Sequence, residues 1–169
     1  MAIIVVSNAG PLMVFSKLNI LHLLKELYVR VEFPLSVYRE TVSTGIRRGF
    51  TDAQILNSFF IQNEWRPAKN IEIPVDLEAA NLDRGEKEAI SLALSKNALL
   101  LMDEERGRGF AREKNLLVRG SLGVLIEAYA KKMISEDQLR FYFRQISERN
   151  DIWINPALCA DLLERLFTS

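Results

Sequence analysis

The sequence predicts an α/β fold in which helices cover both faces of a parallel sheet. Three apolar runs, at residues 3–6, 98–102 and 116–118, are typical of strands at the buried centre of such a sheet. Segments with helical patterns stand between these runs, and alternation of this kind favours a parallel sheet. The length of 169 residues fits one domain, residues 1–169, without an internal repeat.

In the first half of the chain, the strand at 3–6 ends before Asn8, which can cap a helix, and Pro11 suits a first helical turn. We expect helices over 11–17 and 20–27. Residues 28–33 alternate between apolar and polar, which indicates a strand nearer the sheet edge. A helix then runs from Pro34 to Thr44, followed by a loop over 45–53, a short helix over 52–59, a strand over 60–62 and a linker over 66–75.

In the second half, a helix begins at residues 83–86 and continues to 93 or 95. The strand at 98–102 leads into a helix over 104–114, and the short strand at 116–118 precedes a helix that begins near 119–123. Two further helices are expected at about 135–147 and 156–167. The crossovers between parallel strands should be right-handed.

The composition excludes several classes of protein. Twenty-two basic and 22 acidic residues cancel, whereas duplex-binding proteins are usually basic. The lone cysteine, Cys159, is expected in the core and, with no secretory leader, it favours the cytoplasm. The lone histidine, His22, is expected on a helix surface, which disfavours Ser-His-Asp catalysis and a zinc site. The first apolar run is too short to span a membrane.

Polar residues at strand ends are candidates for a site, because ligands bind beyond the carboxyl ends of parallel strands. Asn8 follows the first strand and Asp103 follows five apolar residues. A buried Asp103 must be solvated, hydrogen-bonded or bound to a cation. It either joins a site or caps the helix that begins at Glu104, and the two roles are compatible.

Two glutamates extend this acidic set. Glu86 shares a helical face with Ile90 and Ala93, so it should point inward, where the helix dipole alone would stabilise it by about 0.3–1 kcal/mol. Glu40 lies at the edge of an apolar stripe, and an exposed helix glutamate explains its spacing equally well. If these carboxylates converge, their oxygens suit Mg²⁺ or Mn²⁺, ions that activate water for hydrolysis.

Five segments in order resemble the motifs of a PIN-like family, often classed as a domain of unknown function and similar to the toxin ribonucleases of toxin–antitoxin pairs. They are residues 5–12, 37–40, 82–90, 100–108 and 119–125. The resemblance covers roughly residues 3–160. It implies a three-layer α/β/α sandwich with a five-stranded parallel sheet. It also implies acidic residues that hold Mg²⁺ or Mn²⁺ for RNA hydrolysis.

The resemblance assigns the site residue by residue. Glu40, Glu86 and Asp103 match the second, third and fourth acids of the family. The first acid belongs to an Asp-Thr-Ser stretch, which reads Asn8-Ala9-Gly10 here. Asn8 keeps an oxygen but brings no charge, so we expect it to weaken metal binding and catalysis. Whether Glu104 or Glu105 compensates is open.

Basic residues flank the proposed edge, and arginine suits phosphate contacts. The predicted RNA contacts are Arg47, Arg48, Arg106, Arg108, Arg119 and Ser121, to which Arg112 is added; a solvated surface is the alternative. The leading hypothesis is a metal-dependent endoribonuclease, a toxin held by an antitoxin and homodimeric as in the resembled family. The alternative is a degenerate PIN-like module that binds RNA or protein without chemistry. A nucleotide-binding protein is disfavoured because a Gly-rich phosphate loop is missing.

Overall fold

The computed structural model describes residues 3–168. The chain divides after Ser121 into two compact units. The first contains strands β1 (Val5–Ser7), β2 (Leu99–Leu101) and β3 (Val118–Arg119), and helices α1 (Ala9–Lys17), α2 (Leu21–Tyr28), α3 (Leu35–Tyr38), α4 (Thr44–Arg47), α5 (Thr51–Gln62), α6 (Val75–Glu78), α7 (Arg84–Lys96) and α8 (Glu105–Glu113). A π-helical turn, Arg39–Ser43, joins α3 to α4. Helix α9 (Ser121–Ala130) begins at the last residue of this unit, and α10 (Glu136–Glu148) and α11 (Pro156–Phe167) follow.

The sheet is parallel and has β2 in its centre. Val5 lies opposite Leu99, and Leu101 lies opposite Arg119. Because the strands are parallel and in this register, the residues that follow each of them meet at one edge. The strands are buried or half-buried along their length, as expected for a sheet with both faces covered. This confirms the predicted α/β fold with a parallel sheet, in a chain that is 62% helix.

The prediction of five strands was wrong, because the described residues 3–168 form a sheet of three strands. The segment 28–33 makes only one parallel bridge to the sheet, between Glu32 and Val6. Val29 adopts a positive φ of 65°, and Arg30 N–H donates to the Tyr28 carbonyl at 2.7 Å. This tight turn prevents the extended backbone that a strand needs.

The other strand prediction, residues 60–62, lies instead in the last turn of α5. Ala53, Leu56 and Phe60 are buried and share one face of this helix. Phe60 stacks on Phe33 with ring centroids 4.3 Å apart. An aromatic pair of this kind adds about 0.5–1.5 kcal/mol beyond the buried area. Tertiary packing therefore outweighs the β preference of the sequence Phe-Phe-Ile.

The predicted loop over 45–53 is mostly helical. The helix that begins at Leu35 does not end at Thr44 but continues through the π-helical turn into α4. Buried Gly45 faces Ala53 of α5, and a Cβ on Gly45 would lie 2.5 Å from the Ala53 Cβ. Gly49, at φ +76°, lets the chain reverse between the two helices. The glycines that suggested a loop thus allow a close helix pair.

The main core lies between the sheet and α7. Val6, Leu100 and Met102 project from one sheet face against Ala89 and Ile90 of that helix. Each fully buried large side chain contributes about 1.5–3 kcal/mol. Helix α7 begins with a capping box, and Asn97, in the left-handed conformation, ends it.

The second unit is helical, and its helices are capped by side chains. Ser135 and Gln138 form a capping box at the start of α10. The Phe167 ring of α11 contacts the ring of Tyr129, with centroids 5.4 Å apart, and the Arg140 guanidinium lies 4.4 Å from the Phe167 centroid. Cys159 is 2% exposed, which confirms its predicted core position.

The position of His22 and the length of the helices bear on two further expectations. His22 is exposed on α2, as the sequence predicts. Across residues 3–168, none of the helices combines the length and apolar character needed to cross a membrane.

Candidate functional site

Asp103 directly follows β2 and is held by the first residue of α9. The Ser121 backbone N–H donates to Asp103 Oδ1 at 2.7 Å, and the Ser121 hydroxyl donates to Oδ2 at 2.6 Å. Burial raises the pKa of Asp103, although both bonds from Ser121 and the charge of Arg108 act to lower it. The alternative in which Asp103 caps α8 is wrong, because Glu104 accepts the N–H groups of Arg106 and Gly107 instead.

Asn8 lies between β1 and α1, at the same sheet edge. Its backbone N–H donates to the Leu101 carbonyl at 3.1 Å, which ties it to β2. Its side chain does not make the predicted cap bond to α1. The Oδ1 atom is buried and has no hydrogen-bond partner among residues 3–168. An unsatisfied buried acceptor costs about 1–3 kcal/mol, so a water or a cation bound to this oxygen would stabilise the fold.

Gly10 brings Asn8 and Asp103 together. A Cβ on Gly10 would lie 3.3 Å from Asp103 Oδ2 and 3.7 Å from Asn8 Oδ1. The two side-chain oxygens therefore border the same glycine, and its missing side chain keeps the space between them open.

Glu86 and Glu40 form a second group, around Asp83. Glu86 is half-buried, as its helical face predicts. Its carboxylate accepts the Asp83 N–H at 3.0 Å, while the Asp83 carboxylate accepts the Glu86 N–H at 2.8 Å. Glu40 approaches from the π-helical turn, since a Cβ on Gly85 would lie 3.1 Å from Glu40 Oε2 and 3.5 Å from Asp83 Oδ1.

The electrostatics of this second group show mutual repulsion. Glu40 is exposed by surface area, as the alternative interpretation of its spacing predicted. Partial desolvation nevertheless raises the pKa of its carboxyl, and the charges of Asp83 and Glu86 raise it further. Burial also raises the pKa of Glu86, against the hydrogen bond from the Asp83 N–H, and the charges of Asp83 and Glu104 add to the increase. Neighbouring carboxylates of this kind favour protonation or a cation.

The predicted ligands therefore form two groups, Asn8 with Asp103 and Glu40 with Glu86. Within residues 3–168, no three Asp, Glu, His or Cys side chains form a group that could hold a metal ion. Mg²⁺ usually keeps several waters and takes only one or two carboxylates. The unpaired Asn8 oxygen beside Asp103 fits such a water-rich site, but the residues do not fit a site with three carboxylate ligands.

Among the arginines that were predicted to contact RNA, Arg108 is the one whose charge acts on Asp103. Its Nη1 donates to the Met102 carbonyl at 2.9 Å, and its Nε lies 3.8 Å from Glu105. Burial lowers the pKa of Arg108, as does the charge of Arg112. Arg112 itself lies 3.5 Å from the exposed Glu105. The Arg108 guanidinium is thus fixed next to the candidate site.

The other predicted RNA contacts are distributed more widely. Arg47 and Arg48 are exposed at the end of α4, and Arg106 is exposed in the first turn of α8. Arg119 of β3 is half-buried. Ser121 is 0% exposed, so its hydroxyl is turned to Asp103 rather than to solvent.

Sequence reasoning missed one acid, Asp83, and left the role of Glu104 open. The pattern Asp83-Arg-Gly-Glu86 is that of a capping box, which would have indicated that Asp83 and Glu86 lie together. Glu104 was expected at a helix start facing solvent. It is exposed, but it also acts on Glu86 electrostatically.

A family model described as DUF3368, PIN domain, matches residues 4–167. The chain belongs to this PIN domain family. The predicted membership is thereby confirmed, and with it a nuclease-like fold. PIN domains generally depend on divalent metals and the fold suggests nucleic-acid binding. The comparison with curated proteins found no match, and neither did the comparison with solved structures.

Proposed function

We propose that this PIN domain is an endoribonuclease that uses Mg²⁺ or Mn²⁺ and that Asn8 lowers its activity. The observation that carries the proposal is the buried, unpaired Asn8 Oδ1 next to Asp103. An acceptor without a donor at the carboxyl edge of a parallel sheet is the arrangement that a hard cation would complete.

A bound Mg²⁺ or Mn²⁺ would supply a Lewis acid for the phosphate and would lower the pKa of water. Asp103 would be the charged ligand and Asn8 the neutral one. Glu40 and Glu86, the other two acids that match the family, form the separate group around Asp83. Because their pKa values are raised, they are suited to accept a proton nearer neutral pH than ordinary glutamates. Arg108 supports the proposal, because it lies beside Asp103 and a guanidinium suits contact with a phosphate.

The test is cleavage of an end-labelled single-stranded RNA in millimolar Mn²⁺ or Mg²⁺. We expect slow cleavage by the wild type, loss in Asp103→Asn, and faster cleavage in Asn8→Asp, because a carboxylate restores the missing charge. Asp137→Asn removes an exposed acid of α10 and serves as the matched control that leaves cleavage unchanged. If neither the wild type nor Asn8→Asp cleaves RNA, the proposal is refuted.

A second candidate is a PIN domain that binds RNA or protein without cleaving. The observation that favours it is the hydrogen bonding of Asp103, whose two oxygens already accept bonds from Ser121. An inactive wild type that binds RNA, together with an active Asn8→Asp variant, would establish this candidate and exclude the first.

The toxin role, an antitoxin partner and a homodimer are further parts of the proposal, supported by the family resemblance. A cytoplasmic location is also proposed, and the lone cysteine supports it. Growth arrest on expression of the wild type, relieved by Asp103→Asn, tests the toxin role. Light scattering during size-exclusion chromatography tests the dimer, and a monomeric mass at micromolar concentration would exclude it.

A further inference from the structure

We propose that Gly120 and Ser121 are positioning residues that orient the Asp103 carboxylate toward Asn8. The inference rests on the proposed function, since it concerns how the same site presents a metal ligand. It gives Ser121 a role different from the RNA contact that its position in the sequence suggested.

Ser121 fixes both oxygens of Asp103 at once. Its N–H and its hydroxyl lie 2.7 and 2.6 Å from Oδ1 and Oδ2, and the residue is fully buried. Two donors from one residue define the plane of a carboxylate. Ser121 is also the first residue of α9.

Gly120 leaves the room that this geometry needs. A Cβ on Gly120 would lie 2.9 Å from Asp103 Oδ1 and 2.9 Å from Arg108 Nη1. Arg108 cannot yield easily, because the same Nη1 donates to the Met102 carbonyl at 2.9 Å. A larger residue at 120 would therefore displace the carboxylate or the guanidinium.

The hydrogen bonds from Ser121 do not use all the acceptor positions of the Asp103 carboxylate. An ionised carboxylate has about four acceptor positions, and Ser121 occupies one on each oxygen. Asp103 Oδ2 also borders Gly10, on the side where the unpaired Asn8 Oδ1 lies. The hydrogen bonds from Ser121 thus orient Asp103 while an acceptor position remains for a ligand between Asp103 and Asn8.

The experiment measures Mn²⁺ affinity by calorimetry on the full chain, with the thermal midpoint of the metal-free protein recorded in parallel. Loss of a partner that orients a metal ligand typically weakens binding by 10–100-fold. We expect Ser121→Ala to raise the Mn²⁺ Kd about tenfold, Gly120→Ala to weaken binding as well, and Ser121→Thr, which keeps the hydroxyl, to restore most of the affinity.

Ser91→Ala is the matched control. Ser91 is also buried, but its hydroxyl donates to the Lys87 carbonyl at 2.7 Å within α7. The Ser91→Ala change should therefore leave the Mn²⁺ Kd unchanged. If the wild type binds Mn²⁺ and Ser121→Ala binds it equally well, the positioning role is overturned while the proposed function stands. A wild type that binds no Mn²⁺ overturns both.

Discussion

Replacing Asn8 with aspartate should destabilise the metal-free protein. The side chain is 6% exposed and its Oδ1 has no donor among the described residues. An uncompensated buried charge costs about 3–5 kcal/mol, and the α1 dipole offsets about 0.3–1 kcal/mol of that cost. The net loss in the free energy of unfolding at pH 7 is therefore about 2–5 kcal/mol. For a chain of this length this lowers the thermal midpoint by about 4–20 °C.

The destabilisation caused by Asn8→Asp should depend on pH. Burial raises the folded-state pKa of the introduced carboxyl, so the folded protein binds its proton more tightly than the unfolded chain does. The penalty is then present at neutral pH and disappears as pH falls through the folded pKa toward the ordinary aspartate value of about 3.9. A metal present at 100 times its Kd should raise the free energy of unfolding by about 2.7 kcal/mol.

The assay is urea unfolding followed by circular dichroism, with EDTA or Mn²⁺, at pH 7 and pH 4. Asn8→Ala is the control. It removes the unpaired oxygen without adding charge, and no side-chain cap bond is lost, so its stability should stay within about 1 kcal/mol of the wild type. An Asn8→Asp variant as stable as the wild type in EDTA at pH 7 would refute the reasoning. So would the absence of any recovery with Mn²⁺.

Two further changes test the packing and the acidic group. Gly45→Ala brings a Cβ within 2.5 Å of the Ala53 Cβ and should cost about 1–2 kcal/mol in urea unfolding, because overpacking exceeds the gain in helix propensity. Gly109→Ala, with open space around its Cβ, should be neutral or stabilising, and equal effects of the two changes would contradict the observed α4–α5 packing. Glu40→Gln should stabilise the metal-free protein at pH 7, because burial and the charge of Asp83 raise the Glu40 pKa. This advantage in stability should disappear as pH falls below about 4. If Glu40→Gln stays more stable than the wild type at that pH, the raised pKa of Glu40 is not the cause.

The sequence predicted those features that depend on local patterns. Three apolar runs located the three strands, since consecutive buried residues leave few alternatives. The strand-end rule found Asn8 and Asp103, because parallel strands bring their carboxyl ends to one edge whatever the rest of the fold does. The helical face of Glu86 correctly indicated a half-buried carboxylate.

What could not be predicted depends on contacts between distant segments. The edge strand failed at Val29, whose positive φ is uncommon for a β-branched residue, and residues 60–62 became helical through packing on Phe33. Pattern reasoning has no access to either effect. The grouping of the acids is similar, because Glu40 meets Asp83 across 43 residues of chain.

The partner of Asp103 illustrates what a strand-end rule can and cannot give. The rule places a carboxylate at the sheet edge but does not say whether a cation, a helix N–H or a hydroxyl satisfies it. Here Ser121, 18 residues later, supplies two donors, while the side-chain oxygen Asn8 Oδ1 has no donor among residues 3–168. A carboxylate already held by neutral donors needs less charge compensation than one that faces another carboxylate. An amide at position 8 therefore lets the metal-free fold tolerate the half-buried Asp103, at the expense of the charge that would bind a metal tightly.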